Sequence, residues 1–304
     1  MILLIEQLLN GLQLGVTLFL LASGLTLIFG IMGVINLAHG SLYMVGAYAM
    51  TYVANKSGSF ALAFPAGIGA AGLTGIVLEY LVVRHLYQRD HLDQVLATFG
   101  LILFFNQAII LLFGRQPLFV QIPEFLSGSL QLLPGLKYSI YRLVMIGVGL
   151  VTALGLYWLI AKTKIGMLIR AGASNRDMVR ALGVNIGGLF TLVFGVGAML
   201  AGLAGVMAGP ILSVQVGMGE QVLILTFVVV VIGGVGSVRG AFLGALIVGM
   251  VDTMLRAFLP GLLREVMTGP SADAMSAGLS AMGVYFLMAI VLLVRPHGSA
   301  GAHG

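Results

Sequence analysis

Asn36, His39 and Ser41 fall within six positions of FGIMGVINLAHGSLYMVGAYAMTYV (residues 29–53), a stretch otherwise built of apolar and small residues. A histidine two positions before a serine raises nucleophilic chemistry first. That chemistry needs an acid to orient the base, and the stretch contains no Asp or Glu. A metal would need further ligands. His85 and His91 lie at the end of another segment, His297 and His303 in the tail, and no His-x-x-x-His or His-Glu pair occurs. Cys is absent, which removes disulfides, thiolate metal sites, iron–sulfur clusters and cysteine nucleophiles together. The expectation is therefore no cofactor, no metal and no catalytic residue. What remains is polar recognition by Asn36, His39, Ser41 and Tyr43, next to Gly33 and Gly40. Two roles stay open: the cluster bonds backbone freed by a Gly-hinged break in a helix, or it lines the route of a polar solute.

Such a patch must be held in a membrane. The 304 residues are 60% hydrophobic and 8% charged, where a soluble domain carries about 25% charged residues. The fold class this dictates is all-α, a polytopic transmembrane helix bundle, read as one domain over 1–304. A span needs roughly 20 apolar residues. Candidates fall near 8–30, 35–54, 60–83, 94–113, 140–161, 189–213, 221–236, 240–260 and 276–294, within a range of about eight to ten spans. The segments 35–54 and 221–236 are the weakest and are predicted to be broken or re-entrant, which is tolerated where protein or a cavity covers the backbone. No Lys or Arg precedes Lys56, so the first run lacks a signal-peptide n-region and is expected to stay as a span.

The loops differ in kind. Residues 114–139 contain three Pro and few charges and read as an irregular external cap, with no strand pattern. Residues 162–188 carry five basic residues and one acidic, with helical spacing in their middle. Taking this loop as cytoplasmic puts Arg84, Arg89, Lys162, Lys164, Arg170, Arg176, Arg180, Arg239 and Arg295 on that side, 9 of the 15 cations. The positive-inside bias then places the N-terminus outside. Arg170, Arg176, Asp177, Arg180 and Gly183 form a short cation-flanked helix ending on a glycine. Such a helix either docks on a cytoplasmic partner or only fixes topology.

Charges at membrane depth are costly. Glu79 is expected near Arg84, Asp252 is expected to pair with Arg256 four residues on, and Asn106 and Gln107 are placed to bond across helices. Small residues recur every four positions at Ala201, Gly205 and Gly209, and at Gly236, Gly240 and Gly244, ridges that permit close helix packing. The halves share only their Gly punctuation. No Gly-x-x-x-x-Gly-Lys-Ser/Thr loop surrounds any of the four Lys, so ATP hydrolysis would have to come from another chain.

In order along the chain, GLTLIFGIMGVINLAHGSLYMVGAY, GMLIRAGASNRDMVRALGVNI, AMLAGLAGVMAGP, VVIGGVGSVRGAFLGA and a closing VLLVRPHG resemble one family. It is that of the membrane subunits of bacterial ABC importers for branched-chain amino acids, in particular the shorter, LivH-type, permease. The likeness covers nearly the whole chain. In the coupling-loop pattern of such permeases, Asp177 and Gly183 take the acidic and glycine positions, while Met178 and Val179 replace the two alanines. The resemblance implies a subunit of the bacterial inner membrane without enzymatic activity. It also implies four kinds of partner: a second permease, two cytoplasmic ATP-binding subunits, a periplasmic substrate-binding protein and the lipid bilayer, with no nucleic acid. Similar permeases carry urea, short amides or other amino acids. A channel or secondary carrier acting alone is the rival from another class.

Overall fold

The computed structural model describes residues 2–294 and, for Asp177, the backbone alone. Arg295 and the VLLVRPHG ending therefore lie largely outside the described residues. The chain folds as helices α1 (Ile2–Met32), α2 (His39–Ser57), α3 (Phe60–Leu81), α4 (His91–Phe113) and α5 (Glu124–Ser127), then strands β1 (Ser129–Leu133) and β2 (Leu136–Ser139). There follow α6 (Ile140–Lys162), α7 (Lys164–Ser174), α8 (Arg176–Ala181), α9 (Ile186–Ala208), α10 (Met218–Gly233), α11 (Val238–Arg264) and α12 (Gly269–Val294). Seven of the described helices are long and apolar enough to cross a membrane. α2 and α10 complete the nine segments expected from hydropathy, and α10, at 16 residues, is too short to span.

Helix starts are set locally by short polar side chains. Ser59, Thr163, Asn175, Asn185 and Ser237 each accept a hydrogen bond from an amide in the first turn of α3, α7, α8, α9 and α11, which satisfies donors a helix cannot satisfy itself. α1 and α9 form the centre. Of their most apolar stretches 83% and 72% are buried, against 22% for α4 and α6 and 11% for α12. The outer helices turn large side chains such as Leu103, Leu111, Leu154 and Trp158 outward, where lipid is their solvent. Hydrophobic burial does not drive helix association in lipid, so close packing carries the bundle. α11 runs along α1 with Gly15 against Ala245 and Leu246, and α9 meets α1 where Gly24 touches Gly197.

Two loops depart from expectation. Residues 114–139 are not irregular: they hold α5 and an antiparallel hairpin pairing Leu130 with Tyr138 and Gln131 with Lys137. The turn is Pro134–Gly135, with Gly135 at φ 90°, a conformation glycine adopts at no steric cost. β1 is exposed along its length, and its Ser-Leu-Gln-Leu alternation is too short to stand out among the long apolar runs of this chain. Residues 162–188 form two helices, because Asn175 stops α7 and caps α8.

The expected charge pairs form. Asp252 Oδ2 accepts from Arg256 Nε at 2.8 Å. Glu79 is fully buried and accepts from Arg84 Nη2 at 3.2 Å, Tyr87 at 2.5 Å and Thr191 at 2.7 Å. Burial and then the Glu79 contact hold the Tyr87 phenol well above its ordinary range, so it stays a donor. Arg84 and Thr191 thus share one end of the bundle with α7, α8 and the start of α11. This basic end lies opposite the hairpin.

Candidate functional site

Asn36 and His39 are completely buried, and Ser41 and Tyr43 nearly so. Their position follows from how α1 stops. Gly33 takes φ 65°, a left-handed conformation that glycine alone adopts freely, and residues 33–38 fold back along α1. Gln94 of α4 pins this link: its Oε1 accepts from the Ile35 amide at 3.1 Å. α2 then begins beside α1, and His39 Nε2 contacts the Leu21 carbonyl at 3.2 Å. Leu21 lies eleven residues before the α1 end at Met32, roughly 16 Å along the axis, or about half of a ~30 Å hydrocarbon core. α2 therefore starts alongside the middle of α1 rather than at its end.

A carbonyl only accepts, so Nε2 carries the ring proton and Nδ1 is an acceptor. His39 Nδ1 has no partner, and neither does Asn36 Nδ2. Asn36 Oδ1 is used locally, accepting from Ala38 N at 3.1 Å, and the Ser41 amide donates to the Ala38 carbonyl at 3.0 Å. The patch thus holds its own turn and still presents one buried donor and one buried acceptor.

The second weak segment comes to the same place. α10 starts after Gly217, at φ 87° and with no side-chain cap. A Cβ built on Gly40 would strike the Gly219 carbonyl, and one on Gly219 the Gly40 carbonyl. Two half-helices therefore meet N-terminus to N-terminus. α2 runs from this junction toward the hairpin, while α10 runs to the basic end, where Gly233 meets Gly240. First-turn amides and helix dipoles make the junction electropositive. Glu220, in the first turn of α10, answers that potential, and Asn106 Nδ2 of α4 donates to its Oε1. Glu220 was missed by hydropathy because the segment was expected to begin at 221. The helix starts at Met218 and ends at Gly233 because Gly234 and Gly236 both take positive φ. Gln107 is exposed and faces away from this contact.

A family described as Branched-chain amino acid transport system / permease component matches residues 7–294. The chain belongs to this family. It is 29% identical over 311 residues to the high-affinity branched-chain amino acid transport system permease protein BraD of Pseudomonas aeruginosa, covering 98% of this chain and 95% of the relative. It is equally similar to LivH of Escherichia coli over the same shares, and 25% identical to a probable LivH of Methanocaldococcus jannaschii, over 93% and 88%. No solved structure matches. The protein is a multi-pass permease of the inner membrane.

In this permease the 162–188 segment packs on the ends of α1 and α9. Ile169 is buried, and Gly172 lies near Ile31 and Leu189. The Arg176 guanidinium sits 5.7 Å from the Phe190 ring centroid and against Gly33. Arg170 and Arg180 are exposed. Gly183 closes α8 at φ 83°, its amide bonded to the Arg180 carbonyl at 3.0 Å. The Asp177 side chain lies outside the described residues. Of the small-residue ridges, Ala201 is buried and Gly205 abuts the Tyr43 carbonyl of α2, while Gly244 abuts α10 at Val229 and Gly233. Gly236 touches Gly30, and Gly209 has only ordinary contacts.

Proposed function

We propose that this permease is the membrane-spanning subunit of an ATP-driven ABC importer that carries Leu, Ile or Val inward across the bacterial inner membrane. What supports the substrate class is the buried α2–α10 junction in a permease of this family. Uncapped amides and Asn36 Nδ2 suit a carboxylate, Glu220 suits an ammonium, and the apolar walls suit an aliphatic side chain. Glu220 and Asn106 thereby join Asn36, His39, Ser41 and Tyr43 in the proposed pathway. The basic end is assigned to the cytoplasm, where its excess of cations belongs. The proposed partners are a second permease, two cytoplasmic ATP-binding subunits and a periplasmic binding protein, with hydrolysis in the ATP-binding chains. Their closure would push on α7 and α8. Arg176 lies against Gly33, so displacement of α8 reaches the 33–38 link directly and shifts the start of α2.

Labelled leucine uptake into proteoliposomes tests this. Uptake is expected only with the ATP-binding and binding-protein partners and ATP; uptake by the chain alone without ATP would establish a carrier or channel instead. Asn36→Leu is expected to lower uptake at least about tenfold, because a buried polar site rejects what leaves it unpaired. Its thermal midpoint is expected to move little, since only a local turn bond is lost, worth about 1 kcal/mol. Normal uptake by that variant would remove Asn36 from the pathway. Reversing Asp177 and Arg180 together, by Asp177→Lys and Arg180→Glu, is expected to abolish ATP-dependent uptake while membrane insertion stays intact. Undiminished uptake would exclude the coupling role.

A further inference from the structure

A cavity separate from the junction lies elsewhere in the described chain. It is a groove of about 1020 Å³ at the basic end, between α1, α6, α7 and the start of α11. It exists because α6 and α11 both pack on α1 yet scarcely touch each other. Its walls are aliphatic and aromatic, with Leu27, Ile31, Leu150, Leu154 and Phe242 among them. Leu154 and Leu243, on its lips, are more than half exposed at 69% and 52%, so the groove opens sideways into the lipid.

One end of the groove is cationic. Arg170 and Arg239 both line it, and each is held by the groove's own wall. The Arg239 guanidinium lies 4.9 Å over the Tyr157 ring, and Arg170 Nη1 donates to the Ile160 carbonyl. A guanidinium has five N–H donors, so most of each fork remains available. Lys162 and Lys164, at the junction of α6 and α7, are exposed next to this end. Among the described residues no Asp or Glu lines the groove.

The charge pattern selects the occupant. An amino-acid substrate would leave its ammonium without a carboxylate. An apolar helix of a partner subunit would cover the walls and strand two cations against hydrocarbon. An amphiphile with an anionic head and two hydrocarbon chains satisfies both ends, and the bilayer supplies it at this depth. We propose that this groove binds one anionic phospholipid, its phosphate between Arg170 and Arg239 and its acyl chains along α1, α6 and α11.

Native mass spectrometry of the purified full-length chain, with phosphatidylglycerol and phosphatidylcholine added in parallel, tests the assignment. Wild type is expected to retain one phosphatidylglycerol with about a 30-fold preference over phosphatidylcholine, from two surface cations near one headgroup. R170Q or R239Q alone is expected to reduce the preference about fivefold, and the double variant to remove it. Ala153→Trp, which fills the groove and leaves both arginines, is expected to abolish retention. Inorganic phosphate at matched concentration is expected not to compete, because the chains carry much of the affinity. Equal retention of the two lipids by wild type would overturn the proposal without reference to any variant's folding. So would a preference that survives in the double variant, which would place the headgroup on Lys162 and Lys164, or a co-purifying subunit that cross-links at Leu154 and displaces lipid.

Discussion

Gly219→Val is expected to abolish leucine uptake and to lower the thermal stability of the purified chain by about 3 kcal/mol, the upper range for overpacking. A side chain at 219 would enter the carbonyl of Gly40 and lie 3.2 Å from the Ser41 amide. Both obstacles are backbone, so no rotamer change relieves the clash, and interiors this close-packed transmit such strain. The half-helices must separate, and the polar patch between them must shift. Gly69→Val is the control: nothing lies within 4 Å of a Cβ there. Its expected cost is within about 0.5 kcal/mol, as for other unobstructed surface positions. Uptake assays and thermal unfolding of the two variants side by side decide the matter. Equal stability and transport for both would mean that the α2–α10 junction is not a fixed part of the working protein.

Glu79→Ala is expected to destabilise the chain by about 2 kcal/mol, because it leaves the Tyr87 hydroxyl without its acceptor in a part-buried site, whereas the Thr191 hydroxyl can still donate to the Gly187 carbonyl at 3.1 Å. The Arg84 head is 38% exposed, so water replaces much of what it loses and it contributes little to that cost. Glu79→Gln keeps the volume and one acceptor oxygen but turns an N–H₂ toward existing donors, so it is expected to recover only part of the loss. Thermal midpoints of the three proteins in one detergent provide the comparison. An Ala variant as stable as wild type would show that the Tyr87 hydroxyl does not depend on Glu79. Because Thr191 lies in the second turn of α9 and Tyr87 packs edge-on against Phe190 at 5.2 Å, this carboxylate ties α3 to the helix that leaves the 162–188 segment. Loosening it is therefore also expected to weaken ATP-dependent uptake.

Much of this architecture is legible from composition and spacing. Apolar runs locate nine helices, because a run long enough for a bilayer admits no other backbone arrangement there. Ser and Asn caps mark helix starts, since capping involves only neighbours in the chain. The pairs Asp252–Arg256 and Glu79–Arg84 are readable for the same reason: their members are four and five residues apart. Spacing does not pair Glu220 with Asn106, which are 114 residues apart, and the β1–β2 hairpin escapes notice because its alternation, Ser-Leu-Gln-Leu and Leu-Lys-Tyr-Ser about Pro134–Gly135, is short and set among apolar runs.

The patch from Asn36 to Tyr43 divides along the same line. Its composition alone established that it is a polar, Gly-hinged interruption in a membrane protein, without the acids or metal ligands that catalysis would require. The ordered blocks along the chain carried the family resemblance. Only the tertiary structure decided that α2 and α10 both begin inside the bundle, alongside the middle of α1, that Gly40 and Gly219 bring their N-termini together, and that Glu220 stands at the junction. The physical reason is one of range. Hydropathy and capping are sums over a few adjacent residues, whereas the depth of a helix start depends on which distant backbone it packs against, and two glycines have no side chain with which to announce that they will meet.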